Sequence, residues 1–119
     1  EASLSILLHF HESTITPLAR AFAYALPSAC ALQAIARHAT SGVVVEIGAG
    51  LGLWAALLRC CCDLTVHASD SASPGPLAFG EVIVDTTGGS VLSRAADAPL
   101  LLCWPSLELE LPAEPSPGA

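Results

Sequence analysis

Residues 42–59, GVVVEIGAGLGLWAALLR, constrain the fold more than any other stretch. The run 43–47 predicts a buried parallel strand, because successive valines suit a strand that is covered on both faces. A glycine loop follows at 48–52, and the Ala- and Leu-rich segment from Leu53 to about Cys61 favours a helix. A loop that lacks Cβ atoms lets the backbone approach a ligand, and the helix start is expected to leave free N–H groups facing that ligand.

The spacing of the glycines separates two kinds of nucleotide-binding loop. The dinucleotide fingerprint is G-x-G-x-x-G. Gly48 and Gly50 fit its first two positions, but Leu53 occupies the third. The sequence instead reads E-x-G-x-G-x-G, with Glu46 two residues before the first glycine. This pattern resembles motif I of class I methyltransferases, which use S-adenosylmethionine; the alternative is an ordinary strand-to-helix turn that is rich in glycine.

The resemblance implies a fold and a set of cofactor contacts. The fold is α/β, a Rossmann-like three-layer sandwich that is only partial here, with strand order 3-2-1-4 and helices at the N-terminus. The glycines would admit the methionine end of the cofactor, Glu46 would orient the loop or the amino group, and Asp70 would hold the ribose. The cofactor-binding residues predicted in this way are Glu46, Gly48, Ala49, Gly50, Gly52, Asp70 and Asp85.

Two of these acidic residues also have simpler explanations. Asp70 ends a predicted strand of alternating pattern, 18 positions after Gly52, close to the spacing of about 20 expected for a ribose-binding acid. It would otherwise be a turn residue before Ser-Ala-Ser-Pro-Gly-Pro. Asp85 would lie near the adenine, or would form a turn before Gly88-Gly89. Trp104 would stack on a substrate or pack in the core, and no residue stands out as a catalytic base.

Local signals predict the remaining elements. Thr16-Pro17 predicts the start of a helix that ends before Pro27, and Ser28 predicts the cap of a second helix, Ala29 to Ala39. The segment 71–80 is too short and too rich in proline and glycine for a full crossover helix. A third strand is expected at 81–86, a short helix capped by Ser90 at 90–96, and a fourth strand at 99–106. The first 13 residues suit either a helix or a short strand.

Four strands are fewer than the seven of a complete fold of this kind. We therefore divide the chain into an N-terminal extension, 1–16, a truncated methyltransferase-like domain, 17–106, and an acidic, proline-rich tail, 107–119. Strand four would lie at an open edge of the sheet, which favours association. Residues 107–111 would fold back over this edge, another copy or a partner chain would cover it, or the chain is an incomplete gene product.

Composition excludes several functions. The net charge is −7, lysine is absent, and the four arginines are spread along the chain. Binding to nucleic acid or to an anionic membrane needs clustered cations, so neither is expected. No signal peptide or membrane span is expected, and the five cysteines match no zinc pattern, which together suggest a cytoplasmic protein without a metal.

The predicted function is S-adenosylmethionine binding, with methyl transfer to a small-molecule acceptor. An inactive relative that acts as a binding or interaction module is the main alternative. A nicotinamide-dependent oxidoreductase fragment is disfavoured by Leu53, which stands where the third glycine is needed.

Overall fold

Four parallel strands form one open sheet in the computed structural model, which describes residues 2–23 and 25–103. The strands are β1 (Val43–Ile47), β2 (Thr65–Asp70), β3 (Ile83–Val84) and β4 (Leu100–Leu101), and their order is β3-β2-β1-β4. The predicted α/β fold and strand order are therefore confirmed. Strands β3 and β4 are shorter than predicted, and each pairs with its neighbour at two positions.

Helices cover both faces of the sheet. Side chains of α3 (Ala29–His38) and α4 (Leu53–Cys62) pack with Val44 and Val66 in the main core. Successive strand residues point to opposite faces, so Val45 and Ile47 face the other side. There Gly88 lies against the Ile47 side chain, just before α5 (Gly89–Arg94). Two buried faces explain why the hydrophobic run 43–47 became a central strand.

Helix α3 begins as its sequence predicts. The Ser28 hydroxyl accepts a hydrogen bond from the N–H of Ala31 at 3.2 Å, which satisfies one of the free donors of the first turn. Arg37 and His38 lie in the last turn, where positive charge is favourable. Gly42 then has φ +75°, the left-handed conformation that lets the chain turn into β1.

The N-terminal segment is helical throughout, so the predicted helix start at Thr16-Pro17 is wrong. Helix α1 (Ala2–Phe10) passes through a π-helical turn (His11–Ile15) into α2 (Thr16–Ala21). Proline inside an α-helix removes a hydrogen bond and clashes with the preceding turn. The wider turn accommodates Pro17 without ending the helix, since the Thr16 N–H donates to the carbonyl of His11, five residues back.

The two later connections also differ from ordinary crossovers. Between β2 and β3 the chain forms only a 3₁₀ turn (Gly75–Leu77), which confirms the predicted loss of the crossover helix. Helix α5 starts after Gly88, whose φ is +68°, and not at Ser90 as expected. A Cβ at residue 88 would lie 2.7 Å from Ile47 Cδ1, so this turn needs glycine for packing as well as for its conformation.

Strand β4 lies at one edge of the sheet that the described residues form, as predicted. Leu100 is half exposed there. Tyr24, Trp104 and the predicted strand at 107–111 lie outside the described residues. Within 2–23 and 25–103, the helices are all too short or too polar to cross a membrane.

Candidate functional site

The glycine loop joins the carboxyl end of β1 to the start of α4 through three left-handed residues. Gly48, Gly50 and Gly52 have φ values of +75°, +56° and +78°. A residue with a Cβ adopts this conformation at a cost of roughly 1 to 2 kcal/mol. The E-x-G-x-G-x-G pattern is thus explained by the backbone path of the loop.

The three glycines differ in what surrounds them. A Cβ at Gly48 or Gly50 would meet no atom within 4 Å, so the space outside the loop is open at these two positions. A Cβ at Gly52 would lie 2.8 Å from Cγ2 of Val82. Gly52 therefore serves packing against the segment that leads into β3, whereas Gly48 and Gly50 face solvent.

Most N–H groups of the loop already have acceptors within the chain. Gly48 and Ala49 both donate to the carbonyl of Ser69, at 2.9 and 3.0 Å, and Gly52 donates to the carbonyl of Ala49 at 2.9 Å. Gly50 donates to Oδ2 of Asp70 at 2.8 Å. These four N–H groups are therefore used within the chain, because β2 ends close enough to accept most of them; the free N–H groups expected from the sequence were those at the start of α4.

Asp70 lies at the same edge of the sheet as the glycine loop, where the sequence predicted it. Parallel strands end at one edge, and Ser69, its neighbour in β2, pairs with Ile47 in β1. Besides Gly50, the carboxylate accepts hydrogen bonds from the N–H of Ala72 and the hydroxyl of Ser71, at 3.2 and 3.4 Å. The residue thus fixes the loop to the end of β2.

Asp85 follows β3 at this edge, but its carboxylate stabilises the next turn. It accepts hydrogen bonds from the N–H and hydroxyl groups of Thr87 and of Ser90, at 2.6 to 3.0 Å. These bonds, the strongest of them from the Ser90 hydroxyl, hold the pKa of Asp85 well below its usual range. Asp85 therefore caps the first turn of α5, the role that the sequence had assigned to Ser90.

Glu46 is buried beneath the loop, between β1 and α4. It is 1% exposed, and its Oε2 has no hydrogen-bond partner among the residues that the structure describes. Burial raises the pKa of Glu46 from 4.5 to about 7, while the Arg59 guanidinium and the Ala55 N–H lower it. Burial, and then the nearby Glu46 carboxyl, raise the pKa of Cys103 to about 11, so this thiol stays protonated at neutral pH.

Two aromatic contacts beside the loop were not anticipated from the sequence. The indole N–H of Trp54, in the first turn of α4, donates to the carbonyl of Ala25 at 2.7 Å. Phe79 donates its N–H to the carbonyl of Leu51 at 2.8 Å, and its ring stacks on Phe22 with centroids 6.2 Å apart. These contacts hold the chain before α3 and the chain before β3 against the loop. A tryptophan in a first helical turn was the available signal, because a buried indole N–H needs an acceptor.

The space outside Gly48 and Gly50 is open, and the described residues around it contain no cluster of metal ligands. Three cavities of the described chain lie elsewhere, beside β2, beside α1 and between α3 and β4. In residues 2–23 and 25–103, no three His, Cys, Asp or Glu side chains are grouped so that they could hold a metal ion. The chemistry available at the loop is therefore that of two carboxylates, Glu46 and Asp70, and of backbone groups.

Comparison with known proteins gives no further assignment. No protein-family model matches the sequence, and no curated protein and no solved structure matches it.

Proposed function

We propose that this domain binds S-adenosylmethionine at the carboxyl edge of β1 and β2. One observation carries the proposal: Gly50, left-handed and open to solvent, lies within hydrogen-bond distance of Asp70 at the end of the neighbouring strand. In open α/β sheets, ligands bind outside the carboxyl ends of the strands, where the strand order reverses. Here β2 and β4 lie on opposite sides of β1, so the reversal is at β1.

The residues present fit parts of such a ligand. The open space at Gly48 and Gly50 suits a group that approaches the backbone closely. Oε2 of Glu46 is buried and has no hydrogen-bond partner within residues 2–23 and 25–103, and such an oxygen suits a cationic group such as the ammonium of the methionine end. A carboxylate offers about four acceptor positions, and Asp70 uses three of them within the chain. A ribose hydroxyl would take the remaining position or replace a weak donor such as Ser71.

The proposed reaction is methyl transfer to a small molecule. When bound, the cofactor supplies a methyl group on a sulfonium, and an acceptor oxygen, nitrogen or sulfur displaces the sulfide and loses a proton. Such displacement depends mainly on proximity and alignment. The chain's contribution is therefore to hold the ligand by the loop and Asp70. The described residues offer no evident general base, since Asp85 is fully hydrogen-bonded within its turn.

Calorimetric titration tests the binding step with a matched pair of variants. Gly50→Ala places a Cβ in the proposed ligand space, whereas Gly42→Ala has the same left-handed backbone and equally open surroundings at the amino end of β1. Both variants should lose about 1 kcal/mol of folding free energy. Only Gly50→Ala should weaken S-adenosylmethionine binding, by about tenfold or more.

The same titration distinguishes the alternatives. Four of the five loop N–H groups already have acceptors inside the chain, and this observation favours an interaction module that binds no cofactor. If neither S-adenosylmethionine nor NADH gave a heat of binding, the interaction module would be supported. A heat of binding with NADH alone would support an oxidoreductase fragment. Equal loss of binding in both glycine variants would contradict the placement of the ligand at Gly50.

A further inference from the structure

Strand β2 has an incomplete outer side. Strand β3 pairs only with Ser69 and Asp70, so within the described chain no strand lies on the outer side of the amino half of β2, opposite β1. A cavity of about 670 Å³ occupies this position. Its volume lies within the range of small-molecule sites, about 300 to 1,000 Å³.

Two arginines reach this cavity from opposite faces of the sheet. Arg59 comes from α4, which packs on the face of Val44 and Val66. Arg94 comes from the last turn of α5, which lies on the other face. The half-buried His67 and the Thr65 hydroxyl also line the cavity. Two guanidinium groups, an imidazole and a hydroxyl group thus line one space.

Arg59 is held in place by the backbone. Its Nη2 donates to the carbonyl of Val66 at 2.6 Å, and both terminal nitrogens donate to the carbonyl of Glu81 at 3.2 Å. Gly80 allows this approach, since a Cβ there would lie 3.2 Å from Nη1. A guanidinium has five N–H donors, so Arg59 keeps donors for a ligand while its position is fixed.

The charge of the cavity contrasts with that of the chain. The protein has a net charge of −7 and only four arginines, and two of these line this cavity. The hydrogen-bond acceptors of Arg59 are neutral carbonyl groups, so these bonds do not neutralise its charge, and the nearby Glu46 carboxyl interacts with that charge only through space. Glu81 also lines the cavity and is the one carboxylate in its wall, but this side chain is exposed to solvent.

We propose that this cavity is a binding site for a small oxyanion, a phosphate or carboxylate group held between Arg59 and Arg94. Guanidinium groups bind both kinds of oxyanion through paired hydrogen bonds. The site is separate from the glycine loop, because Thr65 and Asp70 are at opposite ends of β2, about 16 Å apart along a strand. The proposal does not depend on S-adenosylmethionine binding.

Titration of the full chain with inorganic phosphate, and separately with succinate, tests the proposal by two-dimensional NMR at low ionic strength. Amide shifts are expected at 65–68 and at Gly80 and Glu81, and not at the glycine loop. Arg94→Gln should weaken binding of the effective anion by about fivefold or more. Arg37→Gln, an exposed arginine in the last turn of α3, makes the same charge change outside the cavity and should leave the affinity unchanged.

Shifts with phosphate alone would indicate a phosphoryl ligand. Shifts with succinate alone would indicate a carboxylate ligand, and shifts with both would indicate that the cavity binds either class of oxyanion. The proposal would be overturned by the absence of saturable shifts with both anions. It would also be overturned if Arg37→Gln weakened binding as much as Arg94→Gln, because the anions would then respond only to net charge.

Discussion

The backbone groups on the outer side of β2 find hydrogen-bond partners in different ways at the two ends of the strand. At the carboxyl end, β1 and β3 flank the strand, and Asp70 accepts hydrogen bonds from the glycine loop. At the amino end, no described strand lies on the outer side, and the guanidinium of Arg59 binds the carbonyl of Val66 instead. One end is completed by backbone pairing and the other by a side chain.

This difference also explains why β3 is short. The carbonyl of Glu81, just before β3, accepts two hydrogen bonds from Arg59. An arginine inserted between Val66 and Glu81 keeps the two backbones apart, so strand pairing starts only at Ile83. The same insertion leaves the cavity beside β2. Arg59, which prevents strand pairing at this edge of the sheet, is therefore also the first candidate residue for binding an anion.

Replacing Arg59 with leucine should have the largest effect on stability, because this side chain takes the place of a strand. The carbonyls of Val66 and Glu81 would lose charge-assisted hydrogen bonds, each worth about 1.5 to 3 kcal/mol. We expect the free energy of unfolding in urea to fall by about 4 kcal/mol.

Arg37→Leu provides the control for this change, because Arg37 is exposed on α3. Its effect should stay within about 0.5 kcal/mol. If the two variants were equally stable, Arg59 would not replace a strand in the way that the geometry indicates.

The sequence predicted the parts of this comparison that depend on local pattern. The hydrophobic run 43–47 identified the central strand, and the rule that parallel strands end at one edge placed Asp70 beside the glycine loop. The glycine spacing predicted a loop without Cβ atoms between the strand and the helix, and the structure shows that its three glycines are left-handed.

The missed features depend on contacts between residues that are distant in sequence. Arg59 contacts Glu81, 22 positions away, and Trp54 contacts Ala25, 29 positions away. Both side chains bind backbone carbonyls, which every residue carries, so no residue pattern marks the partner. The sequence left two roles open for Asp85 for the opposite reason. Its hydrogen bonds are local, but a capping aspartate and a ligand-binding aspartate look the same at a strand end.

Glu46→Gln tests the buried charge at the carboxyl end of β1, and its expected effect on the free energy of unfolding is intermediate in size. The folded-state pKa of Glu46 is about 7, above its ordinary 4.5, so the folded protein holds this proton more tightly. The contribution of Glu46 is therefore fully present below about pH 4.5, and it declines as the pH rises towards 7.

The neutral glutamine keeps the shape without the buried charge. At about pH 8 the variant should be more stable than the parent by about 3 kcal/mol, and at about pH 4 the two should be nearly equal. Urea unfolding at both pH values measures this difference. Glu12→Gln, an exposed substitution on the N-terminal helix, is the control. A gain at pH 8 that persisted at pH 4 would show that the buried charge is not its cause.

The smallest expected change in the free energy of unfolding comes from replacing Asp70 or Asp85, two aspartates at the ends of neighbouring strands. Asp70→Ala removes the acceptor of the Gly50 N–H and should cost about 1 kcal/mol. Asp85→Ala removes the acceptor of the Thr87 and Ser90 N–H groups. Amide hydrogen exchange should therefore accelerate at Gly50 in the first variant and at Thr87 and Ser90 in the second, each leaving the other set protected. Faster exchange at all three amides in both variants would mean that the loop and the α5 turn open as one unit, and that the carboxyl edge is less rigid than its hydrogen bonds imply.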